Sequence, residues 1–252
     1  MRSVSTIIFT IILATLVSGF GCGKDSGIST SSFPSASGTG KAGSLARFAI
    51  VNNHLYALDG NEIVCYDISN SNSPILRNRV KVAFDIETIY PYEDKLFIGS
   101  TTGMYSYSLA EPGLPKFISV VTHVRACDPV VVQGQYAYVT LRGGTACGGS
   151  NVLNVYNIAN INNPSLIKTI NVNAPYGLGI AGNALYVTNP AGIKSFNITQ
   201  QDNPVFVSDI AEPTASDVIP NNNTMIVQLK KGAAFYDISN ALAPSFLSRI
   251  TQ

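Results

Sequence analysis

Apolar and polar residues alternate in short stretches from about residue 45 to the end of the chain. In the first block we place strands at residues 45–52, 54–58, 62–68 and 75–82, with Asn, Asp, Gly and Pro concentrated between them. Alternation with a period of two is typical of β-strands, and these four residue types favour turns. A long stretch with the helical period is absent from this region. The pattern therefore predicts an all-β domain of short, tightly connected strands.

Five units of this region share one phrase, an aromatic residue at a strand end followed by a proline eight positions later. Successive aromatics are separated by 41, 49, 40 and 40 residues. A period of about 40 in a β-rich chain is typical of propeller blades. We therefore predict a five-bladed β-propeller of four-stranded antiparallel blades, with repeats at residues 45–83, 84–123, 124–173, 174–211 and 212–252. The phrases are Tyr66 with Pro74, Tyr107 with Pro115, Tyr156 with Pro164, Phe196 with Pro204, and Tyr236 with Pro244.

The two ends of the predicted propeller do not interlock. The first unit begins with its own first strand, and the last unit ends with its own fourth strand. Ring closure would then depend on packing alone, or on help from residues just before Leu45. An open arc of blades is the alternative arrangement.

The repeated aromatics are expected to pack between blades, and an aromatic cage for a ligand is the alternative. Cys65 lies one residue before the first of them, where the other units have Ser106, Val155, Ser195 and Phe235. Small or apolar residues at this position indicate a buried thiol with a structural role.

The N-terminus has the layout of a bacterial secretory signal. Arg2 precedes an apolar stretch from residue 4 to about residue 21, and Cys22 follows a small residue. This layout resembles the lipoprotein class of signal peptide, which predicts a signal at residues 1–21 and lipid attachment at Cys22. Residues 22–44, rich in Ser, Gly and Thr, then form a flexible tether. A retained transmembrane anchor is the alternative.

Two of the remaining cysteines lie in the third unit. Cys127 is at the entry to its first strand, and Cys147 is inside an eight-residue insertion in the loop at residues 141–151. In a blade of four up-and-down strands, that entry and that loop share one face. We therefore predict a disulfide between Cys127 and Cys147, with two free thiols as the alternative. Its ring of about 20 residues would stabilise the fold by about 3 kcal/mol.

Charge and histidine content exclude several kinds of site. The net charge is +1, and the chain has no basic stripe of the kind that nucleic-acid binding requires. We interpret the Lys230–Lys231 pair as part of a solvated loop. The two histidines, His54 and His123, lie in different parts of different repeats, so we predict neither a metal site nor a cofactor.

One set of residues is expected at a single opening of the central channel. Counting nine or ten residues back from each second-strand marker gives one position per blade, and Arg142 of the long loop lies beside them. We predict a small polar or cationic pocket, or a docking face, against the alternative of ordinary rim salt bridges. The residues are Arg47, Glu87, Asp128, Tyr176 and Asp217, with Arg142.

The strand ends at residues 63–69 (IVCYDIS) and 234–239 (AFYDIS) resemble the LVIVD repeat, which is named after this strand. Residues 125–129 with 147–149, and residues 175–180, look like LVIVD-repeat lipoproteins of the Bacteroidetes type. The resemblance covers residues 45–252. It implies an exported, membrane-tethered β-propeller and carries over no catalytic residues.

Three functions are compatible with this sequence. The first is a non-catalytic binding or scaffold module, held at the bacterial cell envelope as an outer-membrane lipoprotein, periplasmic or surface-exposed. Its partners would be the lipid membrane, through Cys22, and a protein or a polar or carbohydrate ligand. The second is a hydrolase or lyase that uses Glu87, Asp128 and Asp217. The third is a structural envelope protein that self-associates.

Overall fold

The computed structural model describes residues 43–122, 129–144 and 150–251. Within these ranges the chain forms twenty strands and no helix, arranged as five separate four-stranded antiparallel sheets. This confirms the predicted five-bladed β-propeller. No helix in the described part is long and apolar enough to span a membrane. The segments proposed as signal and tether lie almost entirely outside the described residues.

Each blade takes its four strands in chain order, and neighbouring strands in the sequence are neighbours in the sheet. Blade 1 contains β1 (Phe48–Val51), β2 (His54–Asp59), β3 (Glu62–Asp67) and β4 (Ile75–Lys81). Blade 2 contains β5 (Ile86–Tyr92), β6 (Lys95–Ser100), β7 (Gly103–Ser108) and β8 (Lys116–Thr122). Blade 3 contains β9 (Val130–Gln133), β10 (Tyr136–Leu141), β11 (Val152–Asn157) and β12 (Ser165–Asn171). Blade 4 contains β13 (Leu178–Ala181), β14 (Ala184–Asn189), β15 (Gly192–Asn197) and β16 (Val205–Ala211). Blade 5 contains β17 (Ala215–Asn221), β18 (Thr224–Leu229), β19 (Gly232–Asp237) and β20 (Ser245–Ile250).

The repeated phrase has a local physical explanation in every blade. A β-bulge shifts the pairing of the third and fourth strands just before each repeated aromatic. The next residue is Asp, Ser or Asn, and its side-chain oxygen accepts a hydrogen bond from the backbone N–H two residues on. This turn ends the third strand and directs the chain towards the proline. The five acceptors are Asp67, Ser108, Asn157, Asn197 and Asp237.

The core consists of apolar layers between consecutive blades. Four clusters of buried residues join blades 1 and 2, 2 and 3, 3 and 4, and 4 and 5. Each takes one face of the earlier blade and the opposite face of the later blade, where the later blade's aromatic is buried. Tyr107, Tyr156, Phe196 and Tyr236 are 2–4% exposed, which confirms packing between blades for these four. Tyr66 of blade 1 is only half-buried.

Hydroxyl groups add a polar link between blades. The second-strand tyrosines of blades 1, 3 and 4 each donate to a backbone carbonyl in the next blade, always five residues after that blade's aromatic. The pairs are Tyr56 with Pro112 (2.7 Å), Tyr138 with Gln201 (2.8 Å) and Tyr186 with Ala241 (2.5 Å). Blade 2 has Phe97 instead, and Ser119 Oγ donates to the equivalent carbonyl of Ile161 at 2.5 Å. These bonds stabilise the contact between neighbouring blades, because a partly buried carbonyl that loses its donor costs free energy.

Candidate functional site: the entry face

The entry face is the side of the ring where each first strand begins and where the second and third strands are joined. Arg47 lies there just before β1, exposed, and its carbonyl accepts from the Leu58 N–H at 2.8 Å. Glu87 is the extra residue of a bulge in β5 and is partly exposed. Asp128 lies outside the described residues, so its place on the rim stays a prediction.

Asp217 is on the same side but is not open to solvent, since its residue is only 2% exposed. Ser216 is the bulged residue of β17, so Asp217 pairs opposite Gln228, the register at which Arg47 faces Leu58 in blade 1. Its carboxylate accepts from Ser44 Oγ at 3.0 Å and from the Leu45 N–H at 3.2 Å. Burial raises its pKa from 3.8 to about 6, against the lowering effect of these hydrogen bonds.

Arg142 and Tyr176, both expected at this rim, are in contact with each other. The Arg142 guanidinium carbon lies 4.7 Å from the centre of the Tyr176 ring, a cation–π contact. Arg142 follows β10 directly, and Thr140 Oγ1 of that strand donates to the Tyr176 carbonyl at 2.9 Å. The Tyr176 N–H donates to the Thr188 carbonyl at 2.8 Å. The ring is therefore held from blades 3 and 4 while remaining partly exposed.

A cleft of about 380 Å³ opens beside this ring, at the junction of blades 4 and 5. Its polar groups come from blade 5, where Ser216 Oγ donates to the Gln228 carbonyl at 3.2 Å and the Lys230 N–H donates to the Thr214 carbonyl at 3.2 Å. We call it the entry cleft. It is lined by Tyr176, Pro190, Thr214, Ala215, Ser216 and Lys230.

The charge of the entry cleft is positive. Within the described ranges, neither Lys230 nor Arg142 forms a salt bridge. The neighbouring carboxylate, Asp217, is covered by residues 44 and 45. A second cleft of about 410 Å³ on blade 4 also contains a lysine, but there Lys194 is paired with Asp209 at 2.8 Å. Among the described residues, the entry cleft thus has one lining cation, Lys230, with Arg142 on the adjoining ring of Tyr176 and no counter-charge for either, which favours an anionic ligand.

Of the four cysteines, only Cys65 lies among the described residues. Cys22, Cys127 and Cys147 lie outside the described residues, so lipid attachment and the disulfide stay predictions. Cys65 is free and fully buried, and its Sγ lies 3.4 Å from the Pro112 carbonyl. Burial, followed by the nearby Asp67 charge, raises its pKa to about 11. A thiol in this environment is structural.

The described residues contain no group of three His, Cys, Asp or Glu side chains that could hold a metal ion. His54 stacks on Tyr56, with ring centres 6.3 Å apart. His123 lies outside the described residues.

Sequence reasoning missed most of the entry cleft. Pro190, Thr214 and Ser216 belong to turns and strand entries of two different repeats. Lys230 is in an exposed loop, as the sequence indicates, but its place in the cleft was not predicted. Aligning the loops between second and third strands could have found Pro190 and Lys230, which occupy corresponding positions in blades 4 and 5.

Comparison with known proteins places the chain by fold. No family profile and no curated protein sequence matches it. Among solved structures, a protein from Lactobacillus plantarum is similar at a TM-score of 0.66 and 15% identity, over 79% of this chain and 68% of that one. The periplasmic gluconolactonase PpgL of Pseudomonas aeruginosa is similar at 0.63 and 12%, with the same coverage. Apo AztD of Citrobacter koseri is similar at 0.56 and 11%, over 79% of this chain and 59% of that one. At these identities the likeness shows the propeller fold alone.

Proposed function

We propose that this protein is a non-catalytic binding module of the bacterial cell envelope, an LVIVD-repeat type lipoprotein tethered through Cys22, which binds an anionic carbohydrate at the entry cleft. The observation that carries the proposal is the pair of cations, Lys230 and Arg142, beside the partly exposed ring of Tyr176. A carboxylate on the ligand would supply the counter-charge that the described part of the protein does not.

A carbohydrate suits the rest of the cleft. The apolar face of a sugar ring can lie on the Tyr176 ring or on Pro190, and Thr214 and Ser216 offer hydroxyl groups to its polar edge. The volume of about 380 Å³ falls within the usual range for small-ligand clefts, about 300–1,000 Å³.

Binding is better supported than catalysis by the rim carboxylates. An acid–base mechanism would need two of Glu87, Asp128 and Asp217 to reach one substrate. Asp217 has a raised pKa of about 6, which suits an acid or base, but both of its oxygens accept hydrogen bonds from residues 44 and 45. A substrate could contact this group only after those residues had moved.

The test uses oligogalacturonate, with a neutral galactose oligomer of equal length as the comparison, in calorimetric titrations at low salt. The acidic oligomer is expected to bind and the neutral one to bind at least tenfold more weakly. Lys230→Ala and Tyr176→Ala should each weaken binding about tenfold, because each removes one charged or stacking contact. Lys231→Ala is the matched control, since the adjacent lysine does not line the cleft.

Equal affinity for both oligomers, or an equal loss with Lys231→Ala and Lys230→Ala, would overturn the proposed site. Sedimentation that depends on protein concentration, without any ligand, would favour the self-associating envelope protein instead. Mass spectrometry of the mature N-terminus tests the tether separately: an acylated Cys22 is expected, and an unmodified N-terminus elsewhere would contradict it.

A further inference from the structure

The face of blade 1 that points away from blade 2 is more exposed to solvent than the corresponding face of each other blade. Phe48 is 55% exposed, whereas the residues at the same register in the other four blades are all 0% exposed. Leu55, Ala57, Tyr66 and Ile68 on this face are likewise only half-buried. Their counterparts in the later blades, such as Leu96 and Tyr107, are buried. The four fully buried counterparts of Phe48 are Ile89, Val130, Leu178 and Val218.

The facing side of blade 5 shows the same deficit. Gln228 is exposed, and Ile226 and Phe235 are half-buried, at positions where blade 1 buries Leu58, Tyr56 and Cys65. Ile226 stands where blades 1, 3 and 4 have tyrosine, so no phenol can reach from blade 5 to a carbonyl of blade 1. Among the described residues, no apolar cluster joins these two blades. We call this junction the seam.

A short segment, residues 43–46, makes the contacts that cross the ring next to the seam. The Leu178 N–H of blade 4 donates to Ser44 Oγ at 2.6 Å, and Ser44 in turn donates to Asp217 of blade 5. The Ala46 carbonyl accepts from the Ile89 N–H of blade 2 at 2.9 Å. Because residue 47 continues into β1, this segment connects blades 4 and 5 to blades 1 and 2.

The segment fits tightly around the carboxylate. A Cβ on Gly43 would lie 2.1 Å from Asp217 Oδ2, and a Cβ on Gly177 would lie 2.1 Å from Asp217 Oδ1. Both distances are far shorter than a van der Waals contact, so only glycine fits at either side. Ser44 is 1% exposed. The polar groups are also satisfied, since both oxygens of Asp217 and the hydroxyl of Ser44 have hydrogen-bond partners.

We infer that residues 43–46 are the clasp of this propeller: they hold the ring closed in place of packing between blades 5 and 1, and their release opens the seam. Residues 43 and 44 of the clasp are also the last two residues of the proposed tether, so a force on the tether acts directly on the clasp. Ring closure and envelope attachment are thereby linked through four residues.

Hydrogen exchange of the full chain, followed by mass spectrometry, tests the clasp. Gly43→Ala introduces the clash with Asp217, and Ser44→Ala removes the hydroxyl while leaving the backbone free to fold. Both should accelerate exchange of β1, β2, β17 and β18 about tenfold, as the loss of one or two buried hydrogen bonds predicts. Exchange in blade 3 should not change.

Ser119→Ala is the matched control, because it removes a buried hydroxyl link between blades 2 and 3. Its effect should stay in those two blades. Unaltered exchange of blades 1 and 5 in Ser44→Ala and Gly43→Ala, or an equal acceleration of those two blades in Ser119→Ala, would overturn the clasp.

Discussion

Asp217→Asn should abolish a gain in stability that the wild-type protein shows on mild acidification. Burial raises the pKa of this carboxyl from 3.8 to about 6 in the folded state. A raised folded-state pKa favours folding below the unfolded value, and this contribution disappears as the pH rises through about 6. When the pH falls from about 7.5 to about 5, this one group should therefore raise the free energy of unfolding by about 1.4 kcal/mol.

The surroundings of Asp217 make this gain separable from other titrations. Its shift comes from burial and hydrogen bonds and from no charged neighbour. Asp67, Asp94 and Asp237 have lowered pKa values because of hydrogen bonds to Arg77, Lys95 and Ser239. Their contributions to stability are lost mainly as the pH falls below the ordinary value of 3.8, so they change little above about pH 5.

Urea unfolding at the two pH values measures the effect. The wild-type free energy of unfolding, relative to that of Asp217→Asn, should be about 1.4 kcal/mol higher at pH about 5 than at about 7.5. Asn keeps the size and one acceptor oxygen, so the variant should fold. Asp237→Asn is the control and should keep the gain. An equal pH dependence in wild type and Asp217→Asn would refute the burial of a charged carboxylate under the clasp.

Three further predictions concern the junctions between blades. Tyr186→Phe should lower the free energy of unfolding by about 1 kcal/mol in urea titrations, because the partly buried Ala241 carbonyl loses its donor. Tyr66→Phe removes a hydroxyl that has no partner among the described residues, so it should change that free energy by less than about 0.5 kcal/mol. Arg249→Ala should lower the midpoint of thermal unfolding, because Glu212, which is only 1% exposed, would stay buried without the guanidinium that donates to both of its oxygens. An unchanged midpoint would contradict this. Native Cys65 should stay unmodified in alkylation mapped by mass spectrometry and react only after unfolding.

The repeat was predictable because the third strand ends in the same kind of hydrogen-bonded turn in every blade. A strand-ending Asp, Asn or Ser accepts the turn N–H, and the aromatic before it fills the next interface. These requirements act within a few residues, so they leave a periodic trace in the sequence. Ser108 and Asn157 substitute for Asp without loss because each supplies a side-chain acceptor.

The site was predictable only in part because contacts from distant parts of the chain decide which residues stay exposed. Counting back from the second strand gave Tyr176 and the long third-unit loop gave Arg142, but residues 44 and 45 cover Asp217. The entry cleft combines Pro190 of one blade with Thr214 and Lys230 of the next, and no spacing within one repeat reveals that proximity. The exposure of Phe48 could not be foreseen either, since its strand resembles the other first strands.

The central claim is that ligands bind at the entry cleft, and protection from hydrogen exchange in the presence of oligogalacturonate tests it most directly. At saturating ligand, we expect slower exchange in the peptides that contain Tyr176 and residues 214–216, with the far side of the ring unaffected. A competing cleft of about 500 Å³ on that far side is lined by Asn183, Asn222 and Asn240. Protection there, with none at the entry cleft, would contradict the account.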